Sequence, residues 1–298
     1  MRVLVSGSTG LIGTELVARF SAAGDEVTRL VRSKTVQGRS VFWSPSDHLL
    51  DPSSVEGFDA VVHLAGEPIA KGRWTPEKKA RIRQSRLEGT RLLAETLSSL
   101  KDRPKVLLCA SAIGIYGSRG EEILTEESGP GIGFLADLGG EWEGACGPAG
   151  RAGIRVVALR FGIVLSPKGG ALKVMRIPFR LGLGGPLGSG QQWMSWISLE
   201  DAAGAIRHAV TQDSLRGPVN VVSPNPVTNN GFTRALGKAL HRPAFFPLPA
   251  FAARALFGEL ADEALLASAR VQPKRLLETG FRFKHPEIET ALRELLGR

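Results

Sequence analysis

Short runs of consecutive apolar residues alternate with longer segments of helical periodicity through the first two thirds of the chain. Several of these runs are apolar at successive positions, which is typical of strands buried on both faces of a parallel sheet. The alternation of strands with helices predicts an α/β fold with a doubly wound parallel sheet of about seven strands. The predicted strands are residues 2–6, 27–31, 41–43, 60–64, 105–109, 155–160 and 219–222.

Typical helix-starting residues mark two of the predicted helices. Thr75 can accept a hydrogen bond from the first free N–H groups of a helix, and Pro76 suits the first helical position. Ser198 is a second candidate for such a cap. The predicted helices are residues 11–22, 75–100, 134–149 and 198–211.

Two stretches interrupt the alternation. Residues 178–192 are rich in glycine, which predicts a flexible or tightly turned loop. Trp193 and Trp196 follow it, and two interpretations stay open for them: they line a pocket, or they anchor the C-terminal part by packing. From Ser223 onward the chain has many prolines and no clear sheet strand, which predicts a small, mostly helical C-terminal lobe.

A glycine motif lies between the first predicted strand and the first predicted helix. Gly7, Gly10 and Gly13 have the spacing G-x-x-G-x-x-G. Glycines at these positions permit a tight turn, the approach of a pyrophosphate to the backbone, and close packing of the helix on the strand. The motif therefore predicts a Rossmann-type dinucleotide site. We expect residues 1–164 and 196–222 to form this nucleotide-binding domain, and residues 165–195 and 223–298 to form a smaller substrate lobe.

The end of the second predicted strand favours NADP(H) over NAD(H). In an NAD site this strand ends in an acid that binds the ribose 2′-hydroxyl. Here Arg32, Ser33 and Lys34 follow Val31, and a guanidinium can pair with a 2′-phosphate.

Composition is ordinary for a globular protein, with 43% hydrophobic and 22% charged residues, and the net charge of the 298-residue chain is +9. This charge is either a solvated basic surface or a field that attracts an anionic ligand. The basic residues are scattered and match no nucleic-acid-binding motif, so we expect no nucleic-acid partner.

The remaining features argue for a cytoplasmic protein without metal. Cys109 and Cys146 are the two cysteines, too few for a disulfide framework and wrongly spaced for a metal site. No leader segment and no membrane-spanning stretch is apparent. We expect a small-molecule substrate, a cytoplasmic location and no membrane partner, and a homodimer is left open.

The sequence resembles the extended branch of the short-chain dehydrogenase/reductase superfamily. Within it, the chain is similar to the subgroup of epimerase family proteins that carry a distinctive C-terminal segment. The similarity covers essentially the whole chain. The stretches that carry it are residues 7–13, 64–69, 73–74, 85–86, 111–117, 179–190, 196–197, 201, 242–243 and 273–276.

The resemblance implies a seven-stranded parallel sheet, with the nicotinamide near the ends of strands four to six. It also implies cofactor contacts from residues 64–66, from Arg86 and from the segment around Val164, and it places Ser111 at the position of the superfamily's catalytic serine. Together with the motif, the expected cofactor-binding residues are Gly7, Thr9, Gly10, Leu11, Ile12, Gly13, Arg32, Ser33, Leu64, Ala65, Gly66, Glu67, Arg86, Ser111 and Val164.

The chain departs from the superfamily at its acid/base pair. Most relatives carry Tyr-x-x-x-Lys on the helix after the serine strand, and the tyrosine exchanges a proton with the reacting oxygen. Tyr116 is the single tyrosine here and Gly120 stands four residues later, while Phe134 and Leu138 occupy the helix positions of the pair. The candidate catalytic residues are therefore Ser111, Tyr116 and Glu67.

Three functions remain open from the sequence. The first is an NADP(H)-dependent oxidoreductase that reduces a small carbonyl substrate with a different proton donor. The second is an NADP(H)-binding sensor or regulatory protein with little or no turnover. The third is a sugar-nucleotide epimerase, which is disfavoured because oxidation of a sugar hydroxyl needs a competent base.

Overall fold

The computed structural model describes residues 1–33, 38–70 and 72–297, and its centre is a seven-stranded sheet with parallel pairing throughout. Its strands are β1 (Arg2–Ser6), β2 (Glu26–Val31), β3 (Ser40–Phe42), β4 (Ala60–His63), β5 (Val106–Ala112), β6 (Arg155–Phe161) and β7 (Gly217–Val221). Their spatial order is β7-β6-β5-β4-β1-β2-β3. The predicted doubly wound Rossmann sheet of about seven strands is confirmed, and the strand order reverses between β1 and β4.

Helices cover both faces of this sheet and continue into the C-terminal part. The helices are α1 (Leu11–Ala22), α2 (Pro76–Ser99), α3 (Phe134–Gly144), α4 (Gly147–Arg151), α5 (Gly170–Arg180), α6 (Leu199–Thr211), α7 (Asn229–Leu240), α8 (Ala250–Phe257), α9 (Lys274–Glu278) and α10 (Ile288–Leu295).

The alternation of side chains along each strand supplies two separate cores. Val3 and Val5 of β1 pack with α1 and α6 on one face, while Leu4 packs with α2 on the other. Both cores are fully buried because parallel strands covered by helices expose neither face. The carboxyl ends of the strands are left free to form a crevice at the point where the strand order reverses.

The C-terminal part has its own apolar core, between α5, α7 and α10, which includes Leu172, Phe232 and Leu292. Three short strand pairs connect this part to the rest: Ile163–Leu165 with Trp196–Ser198, Trp193–Met194 with Val227–Thr228, and Ile123–Leu124 with Arg270–Val271. The mostly helical C-terminal portion is confirmed. The exact division into two domains stays a prediction.

Two predicted elements are wrong in detail. Residues 134–149 form two helices, because the chain leaves the first helix after Gly144 and Pro148 lacks the N–H that a continuous helix needs. The predicted loop at 178–192 begins too early, since α5 continues through Pro178 to Arg180. Burial of Phe179 in the C-terminal core outweighs the helix-breaking tendency of Pro178.

The start of α2 provides a test of this assignment. The Thr75 hydroxyl accepts a hydrogen bond from the N–H of Lys78 at 3.2 Å. We expect Thr75→Ala to lower the free energy of unfolding by about 1 kcal/mol, because this N–H loses its partner. Urea denaturation measures the change. Thr75→Ser keeps the hydroxyl and should stay close to the wild-type value, and equal destabilisation by both variants would contradict a capping role.

Candidate functional site

The turn between β1 and α1 is closed so tightly that side chains are excluded from it. The N–H of Gly10 donates to the carbonyl oxygen of Gly7 at 3.0 Å. Gly7 has a φ of +65°, and a Cβ at Gly13 would stand 2.2 Å from the Gly7 oxygen. A Cβ at Gly10 would meet only that oxygen, at 3.2 Å, so Gly10 presents bare backbone to the crevice.

Unpaired donors surround this turn. No side chain caps the N-terminus of α1, where the first N–H groups of a helix have no intrahelical acceptor and carry partial positive charge. The hydroxyl of Ser8 is buried and has no hydrogen-bond partner among the described residues. Such a site is suited to an anion like a pyrophosphate.

A cavity of about 580 Å³ extends from this turn along the carboxyl ends of β5 and β6 to the C-terminal segment. Its walls are mostly apolar. The described side chains on its wall that carry nitrogen or oxygen atoms are those of Arg86, Trp142, Trp193, Ser195, Asn229 and Glu263. The predicted cofactor residues that line it are Gly7, Gly10, Leu11, Ile12, Gly13, Leu64, Arg86 and Val164.

Arg32 and Ser33 lie outside the cavity and are exposed at the end of β2. They are the last described residues before the gap that ends at residue 38. Glu67, which follows β4, is bound by the Lys78 ammonium at 2.6 Å. The hydrogen bond from Lys78, with weaker contributions from charges that include Arg32, lowers the pKa of the Glu67 carboxyl. Glu67 is therefore a carboxylate at neutral pH, and it forms an ion pair with Lys78.

Arg86 connects Glu67 to the cavity. One guanidinium nitrogen donates to the backbone oxygen of Glu67 at 3.0 Å, and the guanidinium lies over the ring of Trp142 at 4.8 Å. Burial lowers the pKa of Arg86 to about 10, which still leaves it charged at neutral pH. Gly66 lies beside it, since a Cβ added there would be 3.4 Å from the guanidinium carbon.

Ser111 points away from the cavity, because its neighbours Ala110 and Ala112 occupy the cavity face of β5. Its hydroxyl donates to Glu143 at 2.7 Å, and Glu143 is paired through both carboxylate oxygens with Arg160. The carboxyl end of β5 thus presents methyl groups, rather than a hydroxyl, to the cavity.

Tyr116 belongs to the same buried network. Its hydroxyl donates to Asn220 at 2.8 Å and accepts a hydrogen bond from Arg160 at 2.8 Å. The side chain is fully buried and absent from the cavity wall, and burial raises its pKa. Ser111, Tyr116 and Glu67 thus lie outside the cavity lining, although the sequence singled them out as candidate catalytic residues.

The face of α3 towards the cavity carries Leu135, Leu138 and Gly139, which agrees with the missing Tyr-x-x-x-Lys pair. Opposite them stands Glu263, whose two oxygens accept the N–H groups of Phe134 at 3.2 Å and Leu135 at 3.0 Å. Glu263 is not apparent from the sequence, because it lies in a π-helical turn (Ala261–Leu265) that is 129 residues beyond Phe134, and no local motif marks it.

Asn229 is the second polar group that the sequence did not indicate. Its side-chain oxygen accepts the N–H of Leu187 at 2.8 Å, and its amide nitrogen has only the sulfur of Met194 as a partner among the described residues, at 3.2 Å. An amide N–H beside a thioether is a weakly used donor. Trp193 lines the cavity as one interpretation expected, whereas Trp196 is buried in the C-terminal core as the other expected.

His63, at the end of β4, is buried behind this site. Its Nδ1 lies 2.6 Å from the hydroxyl oxygen of Ser6, which also accepts the N–H of Leu64 at 3.1 Å. Nε2 has no partner within the described part of the chain. Burial lowers the pKa of His63 to about 4, so the ring is neutral.

Two further kinds of feature are absent from the described residues. No group of three or more His, Cys, Asp or Glu side chains in this part of the chain could hold a metal ion. No helix among the same residues is long and apolar enough to cross a membrane.

A parallel sheet with a glycine turn at its switch point defines a Rossmann-type nucleotide-binding protein. Residues 3–137 match the NAD dependent epimerase/dehydratase family, and residues 248–295 match a domain of unknown function. The chain belongs to this epimerase/dehydratase family, and the resemblance noted from the sequence is confirmed.

Whole-chain relatives support the assignment. An epimerase family protein of Mycobacterium tuberculosis is 44% identical over 97% of this chain and 96% of its own length. The human epimerase family protein SDR39U1 is 40% identical, with complete coverage of both chains. A crystal structure of human SDR39U1 (isoform 2) with NADPH superposes with a TM-score of 0.93 at 37% identity, over the whole of both chains.

A structure of lower sequence identity has the same fold. UDP-glucose 4-epimerase of Thermus thermophilus, in complex with NAD, has a TM-score of 0.78 at 24% identity, over 100% of this chain and 98% of its own. This likeness shows the fold alone.

His63 predicts a pH dependence of stability. An unfolded histidine gains a proton near its ordinary pKa of 6.5, whereas folded His63 stays neutral down to about 4. The free energy of unfolding should therefore fall as the pH drops from 6.5 to 4, by up to about 3 kcal/mol from this residue. Urea denaturation at pH 7.5, 5.5 and 4.5 measures it. His63→Asn should flatten this decline, while His241→Asn, at an exposed histidine, should keep the wild-type slope; parallel slopes in all three proteins would refute the assignment.

Proposed function

We propose that this protein is an NADP(H)-dependent oxidoreductase that reduces a small carbonyl substrate. The observation that carries the proposal is the cavity, which continues from the glycine turn past the ends of β5 and β6 into an apolar chamber closed by the C-terminal segment. Apolar pockets with a few polar groups are typical of small-molecule sites. The NADPH in the structure of human SDR39U1 supports the same cofactor here.

The residues present fit the proposed cofactor. The bare backbone at Gly10, the uncapped start of α1 and the unpaired hydroxyl of Ser8 would hold its pyrophosphate. Arg32, exposed at the end of β2, would pair with the 2′-phosphate. NADPH, when bound, supplies a hydride.

Glu263 would donate the proton that the reduced product needs. It carries the one carboxyl group among the described residues that line the cavity, and the new hydroxyl oxygen of the product needs a proton. The N–H groups of Phe134 and Leu135 hold this carboxyl in place, so it can pass a proton from solvent to that oxygen. The amide N–H of Asn229 would orient the carbonyl oxygen of the substrate.

A specific observation also favours a second candidate, a cofactor-binding sensor or regulatory protein with little turnover. The faces of β5 and α3 that line the cavity carry Ala110, Ala112, Leu135 and Leu138, none of which can exchange a proton. Epimerisation of a sugar nucleotide is the least supported function, since the wall is mostly apolar and offers few partners for sugar hydroxyls.

Cofactor choice tests the role of Arg32. We expect NADPH to bind more tightly than NADH by about 1–3 kcal/mol, because the guanidinium makes a charge-assisted contact with the 2′-phosphate. Arg32→Ala should remove most of the difference by weakening NADPH alone. Isothermal titration calorimetry measures both affinities.

Gly10→Val is the control for this measurement. A Cβ there would meet only the Gly7 oxygen, at 3.2 Å, and the rest of the side chain would project into the crevice, so both dinucleotides should lose affinity together. Equal affinity of the wild-type protein for NADPH and NADH would refute the role of Arg32.

Turnover tests the reaction. Carbonyl and quinone compounds are screened by NADPH oxidation at 340 nm, and Glu263→Gln should lower kcat by roughly 10²–10⁴-fold. Tyr116→Phe and Ser111→Ala remove hydroxyls that lie outside the cavity, so each should affect kcat much less. Thermal unfolding of each variant verifies that the fold is retained.

The outcomes separate the candidates. Full activity in Glu263→Gln together with loss in Tyr116→Phe would return the proton-transfer role to Tyr116. Tight NADPH binding without turnover of any substrate would favour the sensor.

A further inference from the structure

Large apolar side chains are exposed along one side of the C-terminal part. We call this set the apolar rim, and its members are Val174, Ile177, Leu181, Phe245, Phe246 and Phe251. Backbone pairing joins the segment after α5 to the segment that carries Phe245 and Phe246, since the N–H of Phe246 donates to Gly184 at 3.1 Å and the N–H of Leu248 donates to Pro186 at 2.9 Å. Exposed apolar patches of this kind mark binding surfaces.

The rim adjoins the wall of the cavity. In α5, Ala171 and Met175 line the cavity, while Val174 and Ile177 face solvent. With about 3.6 residues per turn, these pairs form neighbouring stripes along the helix. The apolar stripe of Val174 and Ile177 thus continues the apolar wall of the cavity around α5 to the surface.

Positive charge follows on the far side of the rim. Lys173, Arg176 and Arg180 form the next stripe around α5. Within the described residues none of the three is ion-paired. The order around the helix is therefore cavity, apolar stripe, cationic stripe.

We propose that the site takes a single-chain amphiphile with an anionic head group. Its apolar chain enters the cavity and crosses the rim at Val174 and Ile177, and its head group lies at the cations of α5. The proposal rests on the proposed function for its reaction, because the carbonyl would lie at the inner end of the chain, but the binding site is independent of turnover.

Charge and continuity select this occupant. A two-fold dimer through the rim would bring the cations of both copies to one interface, where they would repel each other. A membrane surface would satisfy the charges but would leave the cavity unused. A single anionic amphiphile uses the cavity, the rim and the cations together.

Direct binding tests the proposal without any catalytic readout. The full chain is titrated with cis-parinaric acid, a fluorescent single-chain carboxylic acid, at concentrations where it is monomeric, and with its methyl ester. The acid should bind with enhanced fluorescence and more tightly than the neutral ester. Lys173→Gln combined with Arg176→Gln should weaken binding of the acid several-fold and leave the ester unchanged.

Two further variants test where the apolar chain of the amphiphile lies. Ile177→Glu places a carboxylate on the rim at a position 56% exposed, and Ala264→Trp fills the cavity from an exposed position on its wall. Each should weaken binding of the acid by about tenfold or more. Leu49→Glu is the matched control, since Leu49 is 52% exposed and lies beyond the edge strand β3, and it should bind like the wild type.

Several results would overturn the proposal. These are unchanged binding in both Ile177→Glu and Ala264→Trp, binding to phosphatidylglycerol vesicles without binding of monomeric acid, or a wild-type dimer that Ile177→Glu converts to monomer.

The reaction is judged separately. Binding of parinaric acid without NADPH-dependent reduction of any carbonyl would reject the oxidoreductase and keep the amphiphile site. Reduction of short carbonyls without such binding would reject the amphiphile site and keep the oxidoreductase.

Discussion

The contact between the backbone of Gly7 and the start of α1 sets the geometry of everything around it. At Gly13 even a methyl group would lie 2.2 Å from the Gly7 oxygen, so helix and strand meet at a distance that only glycine permits. This contact points the uncapped end of α1 at the gap between β1 and β4, where the strand order reverses. The position of the crevice and the direction of the helix field follow from that placement.

The polar side chains near the carboxyl ends of β5 and β6 pair with each other in the protein interior and do not line the cavity. Arg160 and Glu143 join β6 to α3 through two hydrogen bonds, and Ser111 and Tyr116 complete the network behind the sheet. A buried pair of charges that is fully hydrogen-bonded orders the elements it joins. What remains on the cavity side of β5 is the pair Ala110 and Ala112, so the polar groups of the cavity wall come from other elements.

The C-terminal part supplies two of the polar groups on the cavity wall, Glu263 and Asn229. Glu263 reaches the start of α3 because Gly133 has no side chain there; a Cβ would lie 2.5 Å from the carboxylate. Asn229 enters from the start of α7. The same part of the chain contributes Met175 to the cavity wall and exposes Ile177 beside it. The sheet thus prepares a nucleotide crevice, and the C-terminal part determines the chemistry of the chamber next to it.

The sequence by itself determined the sheet, the glycine turn and the family, because these depend on local patterns: successive apolar residues, glycine spacing and helix caps such as Thr75. It also showed that the tyrosine–lysine pair is missing. It could not decide which way Ser111 faces, since one residue of register separates the two faces of a strand. Nor could it place Glu263 beside Leu135, because their contact spans 128 residues and depends on how the C-terminal part packs. Side-chain direction and long-range contacts were decided by tertiary packing, which no short stretch of sequence encodes.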